Sequence, residues 1–581
     1  MNKIILFLLL STNLYSSEKI VVTAEKIKKA KNYSAASIIT ISKKDIENYK
    51  ASSLKELLLN FAGIDIASNG TAGSASNIYI RGTDSSHTKI YIDGFKISDS
   101  TTIAGAPRFE FLDLQNIQKI EILKGSSSVL YGSDAIGGVI NIITDHKTDF
   151  VEVKSGSQKR KNVTGSYSVY DGKWTINSYL SYMNLENPST YKYGTEKDSY
   201  DNLDLSLRMN RISHGVKTYF LIDHKTSKID VDNFNTSDSF EQETVKSDLF
   251  GASHEFRLMG GVWKNKSSLS NQNIDRKMKL SKFVYKGEVV NLISENTMQF
   301  SAQNKFLWGA EYNINKANAF AGNLLKPISQ KNIDIYLDFF HKNSFYFGST
   351  GFRFSKYESK SIESSSKLSV GKKIGLTTIK SSLNTGFKMP SLYQLKGTYG
   401  NTSLKPERSF SYDLIFLFDF AKEKIELDLY YIGYKDFVDF RNNRYENVSK
   451  VSSTGIDVNT KIIHWNNFFI TYSFQYNSIK DKATNKQLVN RPTMKDTIYL
   501  NYGFSDSLNM SLGFVHKNKR RQVDDSYLPA FTVLAYKIKY VAAKNAELNL
   551  SVNNLLDLDY EEIKGYSTLK RSIIAGFKYK F

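Results

Sequence analysis

Apolar and polar side chains alternate along most of the chain from about residue 150 to Phe581. Every second position of a segment holds an aliphatic or aromatic residue, and Ser, Asn, Asp or Lys stands between them, as in Trp174–Tyr182, Leu203–Met209 and Ile573–Phe581. This period of two predicts β-strands with one apolar and one polar face. Segments of about ten residues that turn an apolar face to lipid and a polar face to a lumen are typical of membrane-spanning β-barrels.

The chain before residue 149 follows a different pattern, in which helix and strand signals mix. Ser42 and Asp45 have capping-box spacing and predict a short helix to about Lys50, and Ser53 with Glu56 repeats the spacing before an apolar helix at Leu54–Phe61. Apolar runs predict strands at Ser37–Ile41, Asn77–Arg81 and Lys89–Ile92. The section therefore reads as an α/β domain.

Residues 117–144 close this section and carry its most distinctive pattern. Two alternating runs, Ile117–Leu123 and Val139–Ile143, flank a centre that holds four glycines among serines. Glycine allows positive φ and close backbone approach. Two strands held around such a centre predict a small, compact domain that fits inside something larger.

The length of the alternating part sets the size of the barrel. Residues 150–581, at about 20 per strand and connection, predict on the order of 20–22 antiparallel strands. A barrel that wide is an open hole unless something fills it. We therefore predict an all-β transmembrane barrel of about 22 strands with the N-terminal α/β domain as a plug in its lumen. A soluble barrel or propeller is the alternative, but it would bury one face of each strand and need more apolar residues.

The N-terminus predicts export. Ile4–Leu10 is an apolar run behind Lys3, followed by small polar residues, which is typical of a cleaved signal and too short for a bilayer span. A retained membrane anchor is the alternative. The predicted domains are a signal peptide at 1–17, a Lys-rich tether at 18–32, the plug at 33–148 and the barrel at 149–581.

Composition narrows the class of protein. The 581 residues include 36 Tyr, 36 Phe, 7 Pro and no Cys, which suits long hydrogen-bonded strands without disulfides. The net charge of +20 points, in an exported protein, to anionic lipid head groups or phosphorylated surface glycans rather than nucleic acid, although a plain Lys-rich surface gives the same number. No nucleophile, base and orienting group assemble into a catalytic site, so we expect that the protein is not an enzyme. We also expect that it has no covalent cofactor and that it is a monomer.

The chain resembles the TonB-dependent outer-membrane receptors over its whole mature length. The motifs that carry the resemblance are Ile80-Arg81-Gly82, Asp93-Gly94, Ile120–Gly125, Leu130-Tyr131-Gly132, Ala135–Thr144, Gly386–Leu392, Leu404–Glu407 and Val552–Tyr560. Within the family, the chain looks most like the cobalamin receptors at the island Ile20–Ala24, the run Ile80–Thr83 with Ser86-His87, and Gly132–Ala135. The usual Arg-Gly-Pro of the plug is here Lys124-Gly125-Ser126, and the usual Pro-Gly-Arg before the last strand is Leu569-Lys570-Arg571.

The tether and the plug supply the first two candidate sites. The β-prone island Ile20, Val21, Val22, Thr23 and Ala24 can add as a strand to a partner's sheet edge, and the resemblance implies that this partner is TonB. An ordinary plug strand is the alternative. Arg81, Lys124, Glu110 and Glu121 are candidates for ion pairs that hold the plug to the barrel wall, with solvated plug surface as the alternative.

Ligand contact is predicted for the outward plug loops Ile66–Ser76 and Lys96–Arg108, which are rich in small residues and could equally be plain exposed loops. The candidate ligand-binding residues are Ser68, Asn69, Ser74, Ser98, Thr102 and Arg108. Asp198, Asp201, Asp230, Asp232 and Asp238 are candidates for a calcium site, as similar cobalamin receptors imply, or else are solvated loop carboxylates.

These features predict TonB-dependent import of a scarce organometallic nutrient across the outer membrane of a Gram-negative bacterium. The resemblance favours cobalamin, with a ferric siderophore as the second choice. A surface receptor or adhesin without transport is the alternative from another class, and the tether strand argues against it. A passive porin is disfavoured because the plug fills the pore, and haem because the loops show no His motif.

Overall fold

A computed structural model describes residues 21–22, 25–26, 29–30, 33–114, 116–233, 237–321, 323–324, 327–358, 360–420, 423–465 and 467–581. The predicted signal peptide at 1–17 lies outside these residues, as do Ile20, Thr23 and Ala24 of the tether. Within the described ranges, no helix has the length and apolar character needed to cross a membrane.

Twenty-two antiparallel strands form one closed barrel, as the alternation predicts. They are Phe150–Gly156, Arg160–Tyr170, Trp174–Pro188, Lys197–Ser213, Val216–Asn233, Ser237–Leu258, Trp263–Met278, Val284–Gln299, Asn304–Ala321, Ile328–Lys342, Tyr346–Tyr357, Ile362–Ile374, Thr377–Lys388, Glu407–Asp419, Glu423–Arg441, Arg444–Trp465, Phe468–Asp481, Met494–Gly503, Leu508–Lys517, Phe531–Ala543, Ala546–Asn553 and Ser572–Lys580. Phe150 pairs with Lys580, so the last strand closes on the first.

The exposure of apolar and polar side chains in the barrel is the reverse of that in a soluble protein. On the strand Arg160–Tyr170, the apolar Val163 and Tyr167 are 42% and 56% exposed, whereas the polar Thr164 and Ser166 are 0% and 3% exposed. The apolar face therefore looks outward to lipid, and the polar face lines a lumen that the plug covers.

The two ends of the barrel differ in the length of their connections. Turns such as 171–173, 214–215 and 375–376 are short, while connections at the other end run over 389–406, 482–493, 518–530 and 554–571. Barrels of this type have short periplasmic turns and long extracellular loops, which orients the chain. The long connections add the helix Leu392–Lys396 and the paired strands Arg520–Arg521 and Tyr527–Leu528, and Asn323–Leu324 extends one barrel strand.

The plug is built on a five-stranded sheet inside the lumen. Its strands, in spatial order, are Ser37–Ser42, Ile117–Lys124, Gly138–Thr144, Thr88–Ile92 and Phe95–Ile97. A hairpin of Ile64–Ser68 and Ser76–Ile80 lies beside it with the helices Lys43–Tyr49, Leu54–Leu59 and Ser128–Tyr131 and the short turn Ser85–His87. Ser42 caps the first helix through the predicted box with Asp45.

The block 117–144 forms the centre of this sheet. Its two predicted strands pair antiparallel, and a Cβ on Gly138 would lie 2.5 Å from the carbonyl oxygen of Leu123. The glycine-rich centre therefore serves close backbone approach, as expected. The four-residue helix Ser128–Tyr131 within it was not predicted, because one turn shows no apolar period.

Candidate functional site

A buried ionic cluster joins the plug to the barrel wall. The Lys124 ammonium lies 2.7 Å from Asp428 and 3.0 Å from Asp457, and the Arg81 guanidinium contacts Asp413, with Asp428 at 3.3 Å. All five side chains are at most 3% exposed. Two plug cations thus face three wall carboxylates out of contact with water.

The register of the wall explains why the cluster needs these cations. Asp428 and Asp457 lie directly opposite each other on adjacent strands, an arrangement that is destabilising for like charges. Gly63 leaves the room for the pair, because a Cβ there would collide with the Asp457 carboxylate and the Lys124 side chain. Arg81 and Lys124 therefore neutralise a repulsion built into the wall.

The other two predicted contact residues are placed differently. Glu110 pairs with Arg108 at 2.7 Å, and Arg108 in turn reaches Glu243 of the wall at 2.9 Å. Glu121 pairs with Lys119 of its own strand at 2.6 Å. Glu110 thus meets the wall through Arg108, while the ion pair of Glu121 stays within the plug sheet.

Further contacts between charged and polar side chains of plug and wall were not singled out from the sequence. Lys517 lies 2.7 Å from Asp65, Lys55 lies 2.7 Å from Glu562, and His87 lies 2.8 Å from Glu407. Alternation shows that Lys517 and Glu407 of the barrel strands face the lumen, but it does not show which plug residue stands at the same depth. Glu562 lies in the connection 554–571, where there is no alternation to use.

The N-terminal tether is held by the wall at two charged residues. Val21–Val22 pairs with Lys29–Ala30 as a small hairpin. Between these strands, the Lys26 ammonium lies 3.2 Å from Glu295 and 3.3 Å from Glu311, and Glu25 lies 3.4 Å from Lys367. The segment next to the predicted TonB-binding island is therefore anchored in the lumen.

Arg353 of the wall connects this anchor to the glycine-rich block. Its guanidinium contacts Glu311, the carboxylate that Lys26 also contacts, and lies 2.9 Å from Asp334. Gly132, at φ +75°, leaves room for the Arg353 side chain, since a Cβ at this position would lie 2.7 Å from the guanidinium. The carboxylate of Glu311 is shared between the tether and the residue that meets the plug's glycine turn.

The predicted ligand-binding residues lie mostly against the wall. Ser68, Ser74 and Ser98 are at most 9% exposed. Arg108 is engaged in its ion pairs, and Thr102 donates to the carbonyl oxygens of Asp99 and Ala106. Asn69 and Thr102 keep partial exposure.

A cationic cleft opens beside the second apical loop, between plug and wall. Four cations line it, Lys89, Lys96, Lys388 and Arg353, together with three carboxylates, Asp134, Glu311 and Asp334, and the apical Ser391. Lys89 donates to the carbonyl oxygen of Tyr131 and makes no ion pair within the described residues. Burial, together with the nearby Lys96 ammonium, lowers the pKa of Lys89 to about 7, so its charge is present below that pH and lost above it.

A larger cavity of about 450 Å³ separates the plug from the wall strands near the C-terminus. The wall presents small inward residues there, Gly513, Ala535 and Ser551. Lys50 of the plug faces the same cavity and donates to Ser511 at 2.8 Å. Lys55, Lys517 and Glu562 line the same cavity, so the space lies beside the ion pairs that Lys55 and Lys517 make between plug and wall.

Two of the five candidate calcium ligands come together at the extracellular end. Asp198 and Asp232 lie with Glu196 so that one carboxylate oxygen of each is within 4.8 Å of the others. Asp198 and Asp232 also accept from the backbone N–H groups of Thr190 and Tyr191. Outside this group, Asp230 accepts from Ser199 and Gln242, and Asp201 accepts from Tyr182 and Asn184. The side chain of Asp238 lies outside the described residues. Glu196 was missed because it precedes the strand in a loop.

A wide barrel closed by an internal α/β plug defines the class of protein: a gated outer-membrane receptor. Two family models match the chain, "TonB-dependent Receptor Plug Domain" over residues 30–139 and "TonB dependent receptor-like, beta-barrel" over residues 149–555. The chain belongs to the TonB-dependent receptor family, and it is a TonB-dependent transporter of the Gram-negative outer membrane.

Solved structures share the fold at low sequence identity. The siderophore receptor PirA from Acinetobacter baumannii matches with a TM-score of 0.83 and 17% identity, over 94% of this chain and 98% of that one. The ferric enterobactin receptor PfeA from Pseudomonas aeruginosa, in a mutant complex with enterobactin, gives 0.81 and 15%, over 94% and 99%. FpvA from P. aeruginosa, bound to heterologous pyoverdines, gives 0.81 and 12%, over 97% and 88%.

Proposed function

We propose that this transporter imports an anionic ferric siderophore. The observation that carries the proposal is the cleft beside the apical loop, where cations outnumber carboxylates by four to three. The cations are Lys89, Lys96, Lys388 and Arg353, and the carboxylates are Asp134, Glu311 and Asp334. Lysine ammonium groups favour negatively charged ligands. The siderophore receptors that share this fold support the same choice over cobalamin.

Cobalamin is the second candidate, and the acidic cluster favours it. Glu196, Asp198 and Asp232 offer convergent oxygens, and the resemblance to cobalamin receptors implies calcium in the extracellular loops. The plug run Ile80–Thr83 with Ser86-His87 points the same way.

Paired uptake measurements separate the two ligands. A strain that lacks the chain is given radioactive iron as ferric siderophores and, separately, radioactive cobalamin, each with and without TonB. We expect the strain that lacks the chain to lose the part of ferric siderophore uptake that requires TonB. Its cobalamin uptake should be unchanged. The reverse pattern would assign cobalamin, and full uptake of both ligands would refute import of either.

A Lys89→Gln, Lys388→Gln variant tests the cleft itself. It should weaken binding of the ferric siderophore at the cell surface, with Lys372→Gln, Lys373→Gln at the periplasmic end as the matched control. If both double variants bind like the unchanged protein, the cleft does not hold the ligand.

We also propose that Glu196, Asp198 and Asp232 bind calcium. Calcium takes about 6–8 oxygen ligands, so removal of two charged ligands should weaken binding by at least roughly tenfold. Calcium titration of the purified protein should show this for Asp198→Asn, Asp232→Asn. The control is Asp201→Asn, whose carboxylate stands outside the cluster. Equal calcium affinity of the double variant and the control would remove the site.

A further inference from the structure

A polar depression lies on the outer surface of the barrel at its extracellular rim. Its volume is about 530 Å³, and it forms where the connections 482–493 and 518–530 meet the strand Phe468–Asp481. Its lining includes Tyr476, Ser478, Lys480, Lys486, Arg521 and Tyr527.

The alternation of the strand shows that this depression faces away from the plug. Ser473 donates to the plug carbonyl oxygen of Asn60, and Asn477 is buried against Gly82. The even-numbered side chains between and beyond them therefore point outward. Tyr476 is 44% exposed and Tyr527 is 56% exposed on that outer side.

The depression carries an excess of positive charge. Lys480, Lys486 and Arg521 supply three cations, and Asp525 is the one carboxylate that lines it among the described residues. Asp525 already accepts from both Lys486 and Arg521. Lys480 makes no ion pair within the described parts of the chain, and Lys519 adds a further cation 5.2 Å from the Tyr527 ring centre.

An apolar surface continues from the depression toward the middle of the membrane. Tyr476 pairs in register with Met494, and Tyr472 pairs with Ile498 farther down. Met494 and Ile498 are 36% and 38% exposed on the lipid side. Cations thus stand at the height of the head groups, directly above apolar side chains.

We propose that this depression binds a phosphorylated glycolipid of the outer leaflet. Lys480, Lys486 and Arg521 contact its phosphate groups, Tyr476 and Tyr527 lie at the sugar level, and the acyl chains cover Met494 and Ile498. Aromatic rings suit that interfacial depth. The site gives part of the net charge of +20 a role that import of a nutrient does not explain.

The test uses the purified full chain in detergent with lipid A that carries both phosphates, and the same lipid A with the phosphates removed. We expect the unchanged protein to bind the phosphorylated form roughly tenfold more tightly, since several exposed ion pairs with the phosphates each contribute modestly to binding. Lys480→Gln, Lys486→Gln should lose this preference. Lys372→Gln, Lys373→Gln, at the opposite rim, should keep it.

Three results would overturn the proposal. The unchanged protein could bind both lipids equally, the opposite-rim control could lose the preference as fully as the test variant, or inorganic phosphate could displace the lipid and show that a free anion occupies the site. Lys480→Glu alone gives a second variant, because this side chain has no protein ion pair within the described residues to lose and its replacement should leave folding intact. Equal thermal unfolding of all variants shows that lipid binding, not folding, has changed.

Discussion

Val22→Pro is expected to abolish energised uptake and to leave ligand binding at the cell surface unchanged. A strand that adds to a partner's sheet edge binds through its backbone N–H and C=O groups, and proline removes one N–H and fixes φ. Val22 lies in the island that we propose binds TonB, outside the barrel wall and the apical loops. We expect at least a roughly tenfold loss of uptake, which corresponds to about 1.4 kcal/mol in the partner's affinity.

Val22→Ala is the matched control, because it removes the branched side chain and keeps the N–H. Uptake of radioactive ligand by whole cells, beside surface binding measured without energy, separates the two steps. Transport by the proline variant at the rate of the alanine variant would refute strand addition at this position. Loss of surface binding in the proline variant would instead show that the substitution disturbs the plug.

Arg81→Ala is expected to cost about 3–5 kcal/mol of plug stability. Removal of one partner of a buried ion pair leaves the other charge without compensation, and Arg81 contacts Asp413 and Asp428 at full burial. The matched control is Arg444→Ala, since Arg444 pairs with Glu446 at the surface with 60% of its side chain exposed, and such pairs contribute less than about 1 kcal/mol.

The difference in plug stability between Arg81→Ala and Arg444→Ala can be measured with one introduced label, because the chain has no cysteine of its own. A single cysteine at Ile103, which is 54% exposed on the apical loop, can carry a spin label that reports plug unfolding in urea while the barrel stays folded. Arg81→Ala, Asp413→Asn should recover part of the loss. Equal urea midpoints for Arg81→Ala and Arg444→Ala would show that the cluster does not hold the plug.

The architecture could be predicted because each of its signals is local. Alternation marks the barrel strands, capping serines mark the first two plug helices, and glycines mark the tight centre of residues 117–144. The pairing of the last strand with the first follows from the same barrel prediction, because a barrel without closure would leave an exposed edge.

The site could be predicted only in part, because the register between paired barrel strands decides which of its residues come into contact. Arg81 and Lys124 were found as plug cations, but their partners Asp413, Asp428 and Asp457 are three ordinary inward carboxylates in the sequence. Asp428 stands opposite Asp457 only because of how two long strands pair. Likewise, nothing local in the sequence shows that Lys26 and Arg353 share Glu311.

The opposed aspartates also bear on how the protein assembles. A barrel wall that inserted without its plug would hold Asp413, Asp428 and Asp457 in one patch with no cation from Arg81 or Lys124. Such a wall would have to bind protons or metal cations at the patch, or keep it wet. The plug therefore acts as the counter-ion of the wall, and the closed barrel is more stable with the plug in place than without it.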